Sequence, residues 1–237
     1  MSIDILSDGA REFGIELSPA QCEAFQVYLR ELTEWNARFN LTTITEPDQV
    51  IVKHFLDSLS IVPVLRQSPT ATLIDIGSGA GFPGLPLKVA LPGLKVTLLD
   101  STGKKVEFLK HLITELNLDG ATALHARAEE LAHDPAYREK YDVAVARAVA
   151  ELTTLLEYAL PFVRVGGVFV AQKGVDIAEE LEHAAPALRQ LGGRLRGAVP
   201  VQLPGLEPRH LIVVEKTAQT PARYPRAAGA PRKKPLT

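Results

Sequence analysis

Apolar side chains recur at two different periods along this chain, and the change between them falls close to residue 66. Before it, Phe25, Leu29, Leu32, Trp35 and Phe39 step by three and four positions, the spacing of one apolar stripe on an α-helix. Ser18-Pro19-Ala20-Gln21 precedes the stripe as a capping box with proline in the first helical position. Asn36 and Asn40 flank its end, and Asn40-Leu41-Thr42-Thr43 breaks it. Thr45-Glu46-Pro47-Asp48 then opens a second helix whose Ile51, Phe55, Leu59 and Val62 fall on one face. Pro63 and the cluster Gln67-Ser68-Pro69-Thr70 end this helical section, which places a boundary at 66–70.

Past that boundary the pattern becomes short β-branched runs alternating with helical spacing, as in a parallel sheet covered by helices. Strands are expected at 71–74, 94–99, 121–126, 141–146 and 167–172, with helices at 103–116, 151–160 and 176–191. Pro186 should kink the last of these helices. Runs at 199–203 and 211–215 complete the sheet as an antiparallel pair at one edge.

The chain is organised around the segment that follows the first strand, Asp75-Ile76-Gly77-Ser78-Gly79-Ala80-Gly81-Phe82-Pro83-Gly84. Glycine lets a backbone turn sharply, reach positive φ and approach a ligand with no Cβ in the way. Strand, glycine loop and helix together make a nucleotide-type binding corner. Asp100 closes the second strand, on the sheet edge where open α/β folds collect ligands, and a carboxylate there accepts hydrogen bonds from vicinal ribose hydroxyls. A bland role, as the N-cap of a helical segment beginning at Ser101, competes with that reading.

Two cofactors fit this corner. Gly79-Ala80-Gly81-Phe82-Pro83-Gly84 satisfies the dinucleotide pattern, so an NAD-dependent oxidoreductase is a competing reading. Against it, Asp75 at the end of the first strand disfavours a pyrophosphate and suits a sulfonium or an α-amino group. Pro83 removes an N–H from the turn that would cradle the anion, and no Tyr-x-x-x-Lys pair occurs. S-adenosylmethionine is the better match.

Composition bounds the rest. The 237 residues suit one α/β domain with a modest extension. Cys22 is the sole cysteine, so no internal disulfide is possible and a reducing, cytoplasmic setting is expected. The apolar stretch 143–170 is broken by Arg147, Glu151, Glu157 and Arg164, so no membrane span is expected, and no Cys/His cluster has metal-ligand spacing. His111, His125 and His133 read as surface or structural. The net charge of −2 hides an asymmetry: residues 218–237 carry Arg223, Arg226, Arg232, Lys233 and Lys234 with no acid, which leaves −7 on the other 217 residues. Such an arm suits a polyanion, with Tyr224 available to stack on a base, although a solvated tail has the same composition.

Further segments make the reading specific. Trp35-Asn36 with Asn40-Leu41-Thr42, Lys53-His54-Phe55-Leu56-Asp57-Ser58-Leu59, the glycine loop through Phe82-Pro83-Gly84, and Asp100-Ser101 with Lys104-Lys105 stand in one chain. Arg127-Ala128-Glu129-Glu130, Ala146-Arg147-Ala148, Gln172-Lys173-Gly174, Tyr224-Pro225-Arg226 and Lys233-Lys234-Pro235-Leu236 complete the set. Together they resemble the RsmG family, also called GidB, of bacterial small-subunit ribosomal RNA guanine-N7 methyltransferases. The resemblance covers nearly the whole chain; Thr102-Gly103 is a small departure, where related sequences carry bulkier residues.

The resemblance implies a class I, Rossmann-like, S-adenosylmethionine-dependent methyltransferase fold: a mostly parallel seven-stranded sheet with an antiparallel edge strand and an N-terminal helical extension. It divides the chain into 1–68, the helical extension packed on the core, 69–217, the methyltransferase domain, and 218–237, the basic tail. Gly77 and Phe82 are expected at the methionine and adenosine end of the pocket, with Asp75, Gly79 and Gly81 in the same cradle. Asp100, Ser101 and Thr102 should surround the ribose and adenine edge, Ala128 and Glu129 should border the adenine, and Arg147 should face the reacting centre. Taken alone, Glu129 reads better as a solvated helix acid. Lys173, Arg223, Arg226, Arg232, Lys233 and Lys234 are candidate RNA contacts. The substrate implied is guanine-527 in the decoding region of 16S ribosomal RNA, free or within the small subunit, and the protein is expected to act as a monomer. A relative that keeps the fold and binds RNA without transferring methyl groups is the other competing reading. N7 of guanine carries an exposed lone pair, so no general base is expected, and catalysis should rest on positioning.

Overall fold

The computed structural model describes residues 2–67 and 70–237, so the boundary expected at Ser68-Pro69 lies outside the described residues. Helix α1 (Ser2–Glu12) is followed by α2 (Pro19–Phe39), which starts where its capping box requires. Ser18 Oγ accepts from the Gln21 amide at 3.3 Å, and Gln21 Oε1 accepts from the Ser18 amide at 2.9 Å. Asn40 ends α2 in the left-handed region, at φ 49°, and Asn36 Oδ1 accepts from the Thr42 amide at 2.8 Å. The cap thus throws the chain back toward the sheet.

The second helix is not one α-helix. It runs as α3 (Pro47–Val50), a π-helical turn (Ile51–Leu56), α4 (Asp57–Leu59) and α5 (Val62–Leu65). Ile51, Phe55, Leu59 and Val62 are all buried, as their spacing predicts. The wider turn also lets the same segment bring Lys53, His54 and Asp57 onto one guanidinium, that of Arg147. Single-turn π segments of this kind recur at functional sites.

Strands β1 (Thr72–Ile76), β2 (Lys95–Asp100), β3 (Ala121–His125), β4 (Tyr141–Arg147), β5 (Val163–Lys173), β6 (Gly193–Val201) and β7 (Arg209–Lys216) form one sheet in the order β3-β2-β1-β4-β5-β7-β6. Strands β1 to β5 pair in parallel, and β7 runs antiparallel to both β5 and β6. The reversed strand of the edge pair is therefore β7, with β6 outermost. Strand β6 begins at Gly193, well before the expected 199. It is an edge strand whose Arg194, Leu195 and Arg196 face solvent, so no apolar run marks its start.

Helices α6 (Gly84–Ala90), α7 (Gly103–Glu115), α8 (Ala128–Leu131), α9 (Leu152–Ala159), α10 (Ala178–Leu191) and α11 (Ala230–Lys233) complete the chain. Pro186 lies within α10 without ending it. Two apolar clusters sit on the two faces of the sheet. One joins Phe25, Tyr28, Phe55 and Leu59 of the helical preface to Leu73, Val96 and Val145; the other joins Ile74, Ala144, Leu155 and Phe169 to Tyr224 and Leu236.

That second cluster corrects the picture of the tail. Tyr224 is buried and its hydroxyl contacts Gln190 Oε1 at 2.8 Å, so it is not available to stack on a base. Arg138 donates to the carbonyls of Thr220 and Tyr224, and His133 Nε2 meets the Pro225 carbonyl at 2.8 Å. Arg226 is locked onto the fully buried Glu157. The segment is held by its apolar and hydrogen-bonding groups, which its basic excess conceals at the level of composition. Its root is fixed by buried Lys216, whose ammonium meets the Leu160 carbonyl, Thr220 Oγ1 and Glu139. Burial pushes that lysine down to about 8.

Candidate functional site

Reversal of strand order between β1 and β4 opens a crevice at their carboxyl ends. Gly77, directly after β1, sits there at φ 71°, and a Cβ on it would come within 2.7 Å of Val149 Cγ2. The backbone must therefore stay bare at this point. Two clefts meet at Gly77. The first is lined by Gly77, Asp100, Ser101, Ala128, Glu129 and Arg232, with Ala126, Arg127, Val149 and Tyr158. The second is lined by Gly77, Gly79, Phe82 and Arg147 together with Thr42, His54 and Lys105.

Asp100 ends β2 and is only 5% exposed. Its Oδ2 accepts from the Gly79 amide at 2.9 Å and its Oδ1 from the Thr102 amide at 2.8 Å. The carboxylate thus ties the glycine loop to the second strand and keeps lone pairs toward the cleft. It is not the cap of α7, whose N-cap is Thr102. Thr102 is exposed and lines neither cleft, unlike its neighbour Ser101. Glu129 is buried rather than solvated, and its Oε1 accepts from the Gly229 amide at 2.9 Å.

Asp75 and Gly81 lie behind the clefts. Asp75 is fully buried, lines neither cleft and accepts from the Gly84 amide at 2.8 Å, while its Oδ1 has no partner. Burial pushes its carboxyl up to about 7. Both groups were expected in the cradle itself; the geometry makes them its support. At Gly81, φ 100°, a Cβ would collide with Leu85 and the Tyr28 hydroxyl, which is where the helical preface closes on the loop. Tyr28 donates to the Ala80 carbonyl at 2.6 Å, and its ring stacks on Phe82 at 5.4 Å.

Arg147 ends β4, 12% exposed at its side chain. Its Nη1 donates to Asp57 Oδ2 at 2.9 Å and to the Lys53 carbonyl at 2.8 Å, and its Nη2 lies 3.1 Å from His54 Nδ1. The guanidinium carbon stands 5.1 Å over the Phe82 ring, against which the His54 ring also stacks at 4.5 Å. His54 Nδ1 meets both that guanidinium and the Lys53 carbonyl, the latter 3.0 Å away, and its Nε2 lies 3.0 Å from Thr42 Oγ1. Burial first, then the Arg147 charge, pushes His54 down to about 3. Asp57 is 1% exposed and also faces Arg209 at 3.5 Å.

His54 and Asp57 are the site residues that the sequence reading passed over. The signal was present: two polar groups interrupting the apolar face of Ile51, Phe55 and Leu59, where burial without a partner is costly. Of the expected RNA contacts, Lys173 meets Glu180 Oε1 and the Ala150 carbonyl, Arg226 meets Glu157, and Arg223 stands over the Tyr224 ring at 5.0 Å. Arg232 reaches the first cleft instead, donating to the Val149 carbonyl at 3.0 Å. Lys233 and Lys234 are exposed beside it. His111 pairs with Glu31 at 2.8 Å, while His125 meets the Ser101 carbonyl.

With this geometry in view, comparison with known proteins is decisive. The family model described as rRNA small subunit methyltransferase G (GidB) matches residues 21–204. The chain belongs to this family. Ribosomal RNA small subunit methyltransferase G of Roseiflexus sp. (strain RS-1) is 51% identical over 234 residues, covering 99% of this chain and 100% of the relative. That of Acetivibrio thermocellus is 49% identical, covering 98% and 96%. Among solved structures, a precorrin-6y C5,15-methyltransferase from Geobacter metallireducens aligns at TM-score 0.50 and 16% identity, covering 76% of this chain and 92% of that one. TrmN from Thermus thermophilus aligns at 0.51 and 22% identity, covering 70% and 53%. These likenesses are of fold, the Rossmann-like α/β architecture of class I methyltransferases.

Membership in the methyltransferase G family makes S-adenosylmethionine the cofactor and removes the nicotinamide reading. The residues fit it: a bare glycine where the two clefts join, and a lining of Asp100, Ser101, Ala128 and Glu129 whose carboxylates can accept from a nucleoside's hydroxyl and amino groups. Among the described residues no group of three His, Cys, Asp or Glu side chains could hold a metal ion, and no helix is long and apolar enough to cross a membrane.

Proposed function

We propose that this protein transfers a methyl group to N7 of a guanine in small-subunit ribosomal RNA, guanine-527 by family likeness, as a cytoplasmic monomer that uses no metal ion. The observation that carries the proposal is the junction at Gly77 of an acid-bearing nucleoside cleft with a second cleft walled by Phe82, His54 and Arg147. When bound, S-adenosylmethionine supplies an electrophilic methyl on a sulfonium. Asp100, Ser101, Ala128 and Glu129 would hold its nucleoside, and the Gly77–Gly79 backbone its methionine end.

The protein's own side chains then have to position rather than move a proton. His54, pushed down to about 3 by burial and by the Arg147 charge, is held neutral among Arg147, the Lys53 carbonyl and Thr42, which matches an acceptor that has no proton to lose. Asp75, the carboxyl pushed upward, faces Gly84 away from both clefts. Arg147, fixed by three contacts, holds the Phe82 wall and places positive charge beside the second cleft, where an anionic RNA backbone must approach. Lys105 lines the same cleft, and partly exposed Arg209 approaches Asp57. Orienting two reactants in this way is worth up to ~7–11 kcal/mol in intramolecular models.

The test is transfer of labelled methyl from S-adenosylmethionine to small subunits isolated from cells lacking this protein, followed by mapping of the modified base. Label at a single guanine N7 is expected. Label on another base or atom, or none on any form of small-subunit RNA, would overturn the assignment.

A further inference from the structure

The C-terminal segment reaches the first cleft in two places, although nothing in its composition suggested a role there. Gly229 donates its amide to Glu129 Oε1 at 2.9 Å, and Arg232, three residues on, lines the cleft while its Nη2 holds the Val149 carbonyl at 3.0 Å. Val149 is also the residue that packs against Gly77. Tyr158 of α9 lines the cleft near Glu129 and Arg232, and Thr154 on the same helix contacts the Pro231 carbonyl at 3.3 Å. Pro231 and Leu236 are buried on either side, so Arg232 is delivered by a segment anchored at both ends.

We propose that residues 226–236 form a strap completing the cofactor cleft, in which Gly229 positions the Glu129 carboxylate and Arg232 walls the nucleoside side. This rests on the reading of the first cleft as the nucleoside site. Glu129 is 6% exposed, and a carboxylate buried to that degree needs a donor to hold it in one orientation. Gly229 supplies one from φ 80°, a conformation other residues adopt with strain. Arg232 supplies donors and a flat cation at the mouth of a cleft suited to a purine nucleoside, the pairing that guanidinium stacking favours. Two consequences distinguish the strap from a mere anchor. Removing it lowers affinity for the nucleoside end of the cofactor, and, because coupling is reciprocal, an occupied cleft holds the strap closed. The sequence reading places the tail's basic residues at RNA; the strap gives the same segment a role at the cofactor cleft.

Calorimetric titration of S-adenosylmethionine into the full chain, into Arg232→Ala and into a chain ending at residue 226 tests this. The last keeps Tyr224 and Arg226, and Arg232→Ala changes an exposed side chain, so both can fold. The expected result is a loss of affinity of several-fold for Arg232→Ala and more than tenfold for the shortened chain, with S-adenosylhomocysteine and adenosine weakened alike. In the full chain, saturating S-adenosylmethionine should slow tryptic cleavage after Arg232 by a similar factor. Affinities within twofold of the full chain, together with cleavage indifferent to the cofactor, would overturn the strap proposal alone. A full chain that takes up no S-adenosylmethionine would overturn the reading of the cleft and the proposal with it.

Discussion

Replacing Arg226 with alanine separates two accounts of the basic tail. In the structure its guanidinium makes bonds of 2.9, 3.2 and 2.7 Å to the two oxygens of Glu157, whose side chain is 1% exposed, and its backbone amide adds a fourth at 2.7 Å. The variant keeps the amide bond to Oε1 and strips Oε2 of its partners. A buried charge left without its partner costs about 3–5 kcal/mol. One surviving hydrogen bond and the 27% exposure of the arginine place the expected loss near the lower bound, about 3 kcal/mol. For a chain of this size each kcal/mol lowers the melting temperature by roughly 2–4 °C, so a fall of about 6–12 °C is expected in a calorimetric scan. Replacing both partners by leucine should recover most of that fall, since an apolar pair leaves no orphaned charge. An Arg226→Ala protein that melts within about 2 °C of the original, yet binds RNA more weakly and with a shallower salt dependence, would return Arg226 to the phosphate-contact role that composition suggested.

Two further outcomes follow from the site. Asp100→Ala should weaken S-adenosylmethionine binding in calorimetry and also cost about 2 kcal/mol in urea unfolding, because the Gly79 and Thr102 amides both lose their acceptor; unchanged affinity would remove Asp100 from the site. His54 is held down to about 3, so its contribution to stability is complete above pH 6.5 and is lost as the pH falls toward 3, about 2 kcal/mol of it by pH 5. Asp75, pushed up to about 7, works in the opposite sense, adding stability as the pH falls from 7 toward 3.8. The pH dependence should therefore be read as the difference between the original protein and His54→Gln. A difference that stays flat between pH 7 and 5 would refute a buried, neutral His54.

The architecture was legible because its signals are local. Alternating strands and helices, the capping box at Ser18, the glycine loop and the acids and arginine after β2, β3 and β4 each depend on a few neighbouring residues, and the sheet then places them along one edge. Local chemistry also marked Asp100 and Arg147, and the family resemblance marked Glu129; all three line the clefts. The π-helical turn and its His54–Asp57–Arg147 cluster were not legible, since the partner that justifies two buried polar groups lies about ninety residues away. The tail was misread for the same reason. Five basic residues without an acid describe a polyanion-binding arm as long as the groups that hold the segment are out of sight: Glu157 of α9 receives Arg226, and Glu129 of α8 receives the Gly229 amide. Sequence by itself determined the sheet, the glycine cradle and the family; only tertiary structure decided which charges are satisfied within the chain, because that depends on distances between segments that no local pattern encodes.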